Sequence, residues 1–187
     1  MILRKSIITL LFFVFSMVYS SLSFALEYES KGVEKASELI RKMPFSEDSE
    51  KPALLKQIKA VRDENPGDIR VSAIYINALI SEKQYDDALN ELSSVNNLAD
   101  YSQMMLLKCM LEDRLNKESA ACYNTFIANA ESKKEKNVDY LMALYLSGNK
   151  KYKAEKNHFI RNDKYSSDID AIETKSKDEI LREFFPQ

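Results

Sequence analysis

Residues 65–92 read NPGDIRVSAIYINALISEKQYDDALNEL, and this stretch decides the fold. Pro66 and Gly67 break the chain. Asp68 stands where its carboxylate can cap the amides that follow, and residues 69–83 read as an amphipathic helix. Tyr85 then opens a partner helix after a very short connection. Two helices so joined form a hairpin that buries one face and presents another.

At the start of the chain, Arg4 and Lys5 precede an almost wholly apolar run at 7–19, followed by SSLSFA. This is the pattern of a secretory signal peptide, with Ser23 and Ala25 as the small residues a signal peptidase requires, so cleavage is expected after Ala25. No cysteine follows the cut, which argues against a lipoprotein. Thirteen apolar residues also fall short of the roughly twenty a membrane-spanning helix needs. Residues 26–187 are therefore expected to form a single exported, periplasmic domain with no membrane span.

Removing Arg4 and Lys5 leaves 25 basic against 29 acidic residues, a net charge of −4. Nucleic-acid binding depends on clustered cations, and mild acidity gives no reason to expect it. With three glycines and four prolines in 187 residues, and Leu, Ala, Glu, Lys and Met abundant, long helices are favoured over turn-rich sheets. The expected class is all-α.

Export places Cys109 and Cys122 where thiols are oxidised, and two cysteines suffice for one internal pair. A disulfide is the expectation, with two buried free thiols as the alternative. Zinc wants about four ligands, and His158 is the one histidine, so no metal site can be assembled from cysteine and histidine.

Upstream of the hairpin, Val33, Ala36, Leu39 and Ile40 recur at helical spacing over 30–43 and predict an N-terminal capping helix. Pro44 and SEDSEK end it. A second helix over 52–63 carries Leu54, Leu55, Ile58 and Val61, with Pro52 suited to its first turn. Downstream, helices are expected at 101–115, 117–130, from 137 to Gly148, and at 150–160. One or two more over 167–185 carry Ile169, Ile172, Ile180, Leu181, Phe184 and Phe185.

On these residues the chain resembles the tetratricopeptide repeat. That 34-residue pattern closes one unit with proline and places a tyrosine and, three residues later, a small residue in the second helix of the next. Pro66, Tyr85 and Ala88 occupy those places; Ser72 and Ile76 stand where the pattern has tryptophan and glycine. The resemblance implies antiparallel hairpins stacked as a short right-handed solenoid with N- and C-terminal capping helices: units at 65–100, 101–134 and 137–165, and a cap at 167–187. Advancing the register by 34 residues puts Cys109 and Cys122 on the seam between two antiparallel helices, so the resemblance also implies that they pair. First helices line the concave side of such a superhelix. Tyr75 and Tyr140 are thus candidate partner-binding residues, with core packing as the alternative.

Lys150, Lys151, Lys153, Lys156, Arg161 and Lys164, with Tyr152, His158 and Phe159, form a locally basic stretch against Glu155 and Asp163. It is either a charged contact surface or a solvated helix face. Catalysis finds little footing. One histidine and no G-x-S-x-G sequence leave no serine hydrolase, and the scarcity of glycine leaves no phosphate loop or cofactor site. Paired carboxylates at Asp86 with Asp87, Glu112 with Asp113, and Asp168 with Asp170 are of the type a cell-wall glycoside hydrolase uses, but they sit where helix starts and solvated faces favour acids.

The resulting expectation is a non-catalytic protein partner in the periplasm, acting as an adaptor or assembly factor for an envelope machine such as a pilus or secretion system. A periplasmic immunity protein that neutralises a toxin is the alternative, and a glycoside hydrolase the third reading.

Overall fold

A computed structural model describes residues 30–161 and 166–187. The leader at residues 1–25, its cleavage position, and Asp163 and Lys164 lie outside the described residues.

Helix α1 (Lys31–Lys42) starts on Ser30, whose side chain accepts from the Val33 amide, and it buries Gly32, Ala36 and Leu39. Gly32 is needed for close approach: a Cβ there would stand 2.6 Å from the Asn65 carboxamide. A 3₁₀ turn (Met43–Phe45) then buries Met43 but leaves Phe45 91% exposed. Helix α2 (Lys51–Glu64) has its proline in the first turn and buries Leu55, Ile58 and Val61.

The hairpin of the deciding stretch is α3 (Ile69–Ser81) and α4 (Tyr85–Ser94). Asp68 caps α3 by accepting from the Arg70 amide, and Tyr85 opens α4. After a 3₁₀ turn (Leu98–Asp100) come α5 (Ser102–Arg114), α6 (Ala120–Lys133), α7 (Val138–Leu146) and α8 (Tyr152–Ile160). Two short helices follow, α9 (Ser166–Glu173) and α10 (Lys177–Phe184), the second begun by a reciprocal capping box between Ser176 and Glu179. Among the described residues the fold is all-α.

Each helix from α1 to α9 packs on its neighbours in sequence, and α1 also meets α3. Three of the hairpins close identically. Lys83, Asn116 and Gly148 take left-handed φ values of 58°, 55° and 65° just past α3, α5 and α7. The next amide, of Gln84, Lys117 or Asn149, donates five residues back to the carbonyl of Leu79, Glu112 or Leu144. This closure satisfies carbonyls that a helix end leaves open. Within hairpins it recurs at residues 83, 116 and 148, intervals of 33 and 32, and it also ends α6, where Lys134 has φ 58° and the Glu135 amide donates to the Ala130 carbonyl.

One helix bound is corrected. Helix α6 begins at Ala120 rather than 117, because Asn116 spends its left-handed conformation on stopping α5 and residues 117–119 are used to reverse the chain. The C-terminal stretch forms two helices with different neighbours: α9 packs on α7 and α8, whereas α10 returns to α5.

Candidate functional site

The site is a cleft between the N-terminal halves of α3 and α5. On α3, Ile69, Ala73 and Asn77 follow at four-residue spacing and share a face; on α5, Met104 and Leu107 do the same at three. Ala73 is short and leaves a hollow that larger neighbours bound. One lobe, of 390 Å³, is lined by Ile69, Arg70, Ala73, Tyr101, Ser102, Gln103 and Met104. A second, of 160 Å³, adds Ile76, Asn77 and Leu107 and shares Ala73, Gln103 and Met104 with the first. Tyr101, 39% exposed, stands at the mouth.

Across Ile69 and Tyr101 the cleft continues into a more polar hollow of 280 Å³, lined by residues including Arg62, Ser72, Glu91, Ser94 and Asn96. There the Arg62 guanidinium grips both Glu91 oxygens, Nε to Oε1 at 2.5 Å and Nη2 to Oε2 at 2.6 Å, a fork geometry that fixes both side chains. At the other rim, Asp68 receives hydrogen bonds from Arg70 Nε (3.1 Å), Arg70 Nη2 (2.9 Å) and Ser30 Oγ (2.8 Å). The Arg70 hydrogen bonds, opposed by partial burial, pull the Asp68 carboxyl down to about 2. The helix cap thereby also positions the arginine that edges the cleft. An apolar trough with fixed polar ends can seat an apolar side chain and orient the segment that carries it.

Of the tyrosines expected on a groove, Tyr75 is 8% exposed and Tyr140 has no exposed surface. Both rings belong to the core, and the Tyr140 hydroxyl donates to Glu131 Oε1 at 2.9 Å. Burial, and then that carboxylate, push the Tyr140 hydroxyl well above its ordinary value. The groove assignment of these two rings is corrected. Tyr75 lies 34 residues before Cys109, so the register that put Cys109 on a seam already puts Tyr75 there.

The basic stretch spreads rather than converges. Lys150, Lys151, Lys153 and Arg161 are exposed and Lys156 is half-buried. Lys151 bonds both Glu131 oxygens, at 2.7 and 2.9 Å, and Lys156 bonds Glu173 at 2.6 Å, so these two lysines tie α8 to α6 and α9. The acid pairs part company as well. Asp86 meets Lys117 at 2.9 Å, Glu112 pairs with Lys108, and Asp113 takes Lys177 at 2.6 Å and the Tyr123 hydroxyl at 3.2 Å. Asp170 is exposed, and the Asp168 side chain lies outside the described residues.

Cys109 and Cys122 form a disulfide that joins α5 to α6, with Cα atoms 5.3 Å apart. Among the described residues no helix is long and apolar enough to cross a membrane. The cleft residues Ala73, Gln103, Met104 and Leu107 escaped the sequence reading, although the small Ala73 on an otherwise bulky helix face was a usable signal. Comparison with protein-family models, with curated proteins and with solved structures finds no match for this chain.

Proposed function

We propose that the chain is an exported, non-catalytic module that binds another protein along the α3/α5 cleft, serving in the periplasm as an adaptor or assembly factor for an envelope machine such as a pilus or secretion system. The observation that carries this reading is the cleft itself: an apolar trough with oriented polar ends, built on packed helices that hold its walls in place. The repeated closure at residues 83, 116 and 148 supports a tetratricopeptide-like, right-handed stack of hairpins as the scaffold. The pattern at residues 1–25 supports export, and the Cys109 to Cys122 disulfide favours an oxidising compartment.

Filling the trough tests the proposal. Ala73→Arg places a long cation where the cleft needs space, on a face away from the disulfide. Cells carrying it in place of the native residue are expected to lose the same envelope structure that a deletion loses, and the purified variant to retain its partner at least tenfold less well than the native protein. A folded Ala73→Arg protein with undiminished capture and an intact phenotype overturns the cleft as the binding site. Protection from one toxin, with no structure lost on deletion, would replace the adaptor role with immunity.

A further inference from the structure

We propose that α10 and residues 185–187 form a plug that occupies the far end of the binding groove, and that the groove accepts in its place a partner's amphipathic helix of the same chemistry. This rests on the reading that a partner docks along α3 and α5.

The geometry comes from one face of α5. Met104, Leu107, Leu111 and Arg114 fall at helical spacing on a single stripe. Met104 and Leu107 line the open cleft, while Arg114, two turns beyond Leu107, donates from Nε to the Phe185 carbonyl at 3.0 Å. The opposite wall behaves alike. Asn77 lines the cleft, and the turn beyond the end of α3 supplies Lys83 and Tyr85, whose Nζ and hydroxyl donate to the carbonyls of Gln187 and Pro186. Three donors from separate places in the fold therefore converge on the last three carbonyls of one segment. These carbonyls belong to the C-cap Phe185 and the two residues past it, outside the helical hydrogen bonds, so two cations and a hydroxyl constitute a receptor for the end of the segment.

The seated segment displays what the receptor takes. Ile180, Leu181 and Phe185 are buried, and the Phe185 ring meets Tyr85 edge-on with centroids 5.7 Å apart. Asp178, Glu179 and Glu183 face solvent. This is the helix-in-groove mode, read as apolar anchors on one face with a charged back.

Like α9, α10 has only eight residues, too few to stand alone in water, and it is held by α5, by the Lys177 ion pair to Asp113 at 2.6 Å and by the three carbonyl contacts. Segments of low local stability open before the whole molecule unfolds. Because α10 continues the stripe that forms the open cleft, its release would lengthen the groove without rearranging the scaffold.

The probe is a fluorescein-labelled peptide of residues 176–187, SKDEILREFFPQ, added to the full chain. The native protein, with its plug seated, is expected to bind it weakly. The double variant Leu181→Ser, Phe185→Ser weakens the plug in place and is expected to bind at least tenfold more tightly, while the same peptide carrying Phe185→Ser is expected to lose that gain. If the variant keeps its helical circular dichroism and disulfide but binds no better than the native protein, the plug is overturned, and the sensitivity of partner capture to Ala73→Arg stands or falls separately. Hydrogen exchange on the native chain needs no substitution: α10 amides are expected to exchange at least tenfold faster than those of α5. Equal protection of the two helices also overturns the proposal.

Discussion

Hairpins α3/α4 and α5/α6 end their first helices with the same left-handed turn, yet they are held by different means. In the first, α3 begins on a side-chain cap from Asp68, and the seam holds Tyr75, 8% exposed, and Ala88, fully buried. In the second, Tyr101 precedes α5 and Ser119 precedes α6, and neither supplies a side-chain cap hydrogen bond. The residues 34 after Tyr75 and Ala88 are Cys109 and Cys122, and they are bonded. A large ring with a small partner is one way to let two helices approach; a covalent link is another. The link lies in the hairpin with the weaker caps, which also carries α10 through Asp113 and Arg114. The difference teaches that equivalent places in two hairpins can be stabilised by packing or by cross-linking, with different sensitivities to chemistry.

The largest expected break in this comparison follows from removing the bond. A disulfide between residues 13 apart closes a short loop and stabilises by about 3 kcal/mol, chiefly through the unfolded chain. Cys109→Ala with Cys122→Ala is expected to lower the urea midpoint accordingly, with hydrogen-exchange protection falling more in α5 and α6 than in α3 and α4. A loss below 1 kcal/mol, or equal loss in both hairpins, would show that packing alone holds the second.

Next in size is a disturbance of the packed seam. Ala88 has no exposed surface, and Leu in its place adds three carbons to a filled space, at a cost of about 2 kcal/mol in equilibrium unfolding. The same change should be felt with the disulfide oxidised or reduced. A shift of more than about 0.5 kcal/mol between those two states would show that the hairpins are coupled rather than independently secured.

How much of this was legible in sequence depends on the range of the interactions. As helix starts and stops, Asp68, Tyr85, Ser30 and Gly148 need only their near neighbours in the chain, and the boundaries they mark lie where the chain pattern puts them. The cysteine pair was readable because the leader-like pattern at residues 1–25 and the helical register both point to it. Asn116 carried no comparable signal: nothing local distinguishes an asparagine that stops a helix from one inside it, so the start of α6 was misplaced by three residues. Tyr140 was ambiguous because a ring with a hydroxyl suits both a groove and a core, and only its burial against α6 decides. The cleft left only the small Ala73 as a local signal, since it depends on which faces of α3 and α5 meet, and the return of α10 to α5 left none, since it joins residues 71 apart.

The smallest effect sharpens the capping side of the comparison. Asp68 accepts from the Arg70 amide at the start of α3, and replacing such a cap with Ala costs about 1 kcal/mol. Its carboxyl titrates at about 2 in the folded protein against an ordinary 3.8, so as pH falls the unfolded chain takes up this proton first. The contribution is therefore complete above pH 3.8 and fades as pH falls through about 2. Burial raises the Asp139 carboxyl instead, which gives a dependence of opposite sign. Native and Asp68→Ala proteins share Asp139, so it cancels in their difference. Unfolding of both proteins at pH 7 and near pH 2 should show the native advantage shrinking toward zero at the lower pH. An advantage that persists there would mean that Asp68 acts through its neutral hydrogen bonds rather than its charge. The hairpin without the disulfide would then be held by geometry alone.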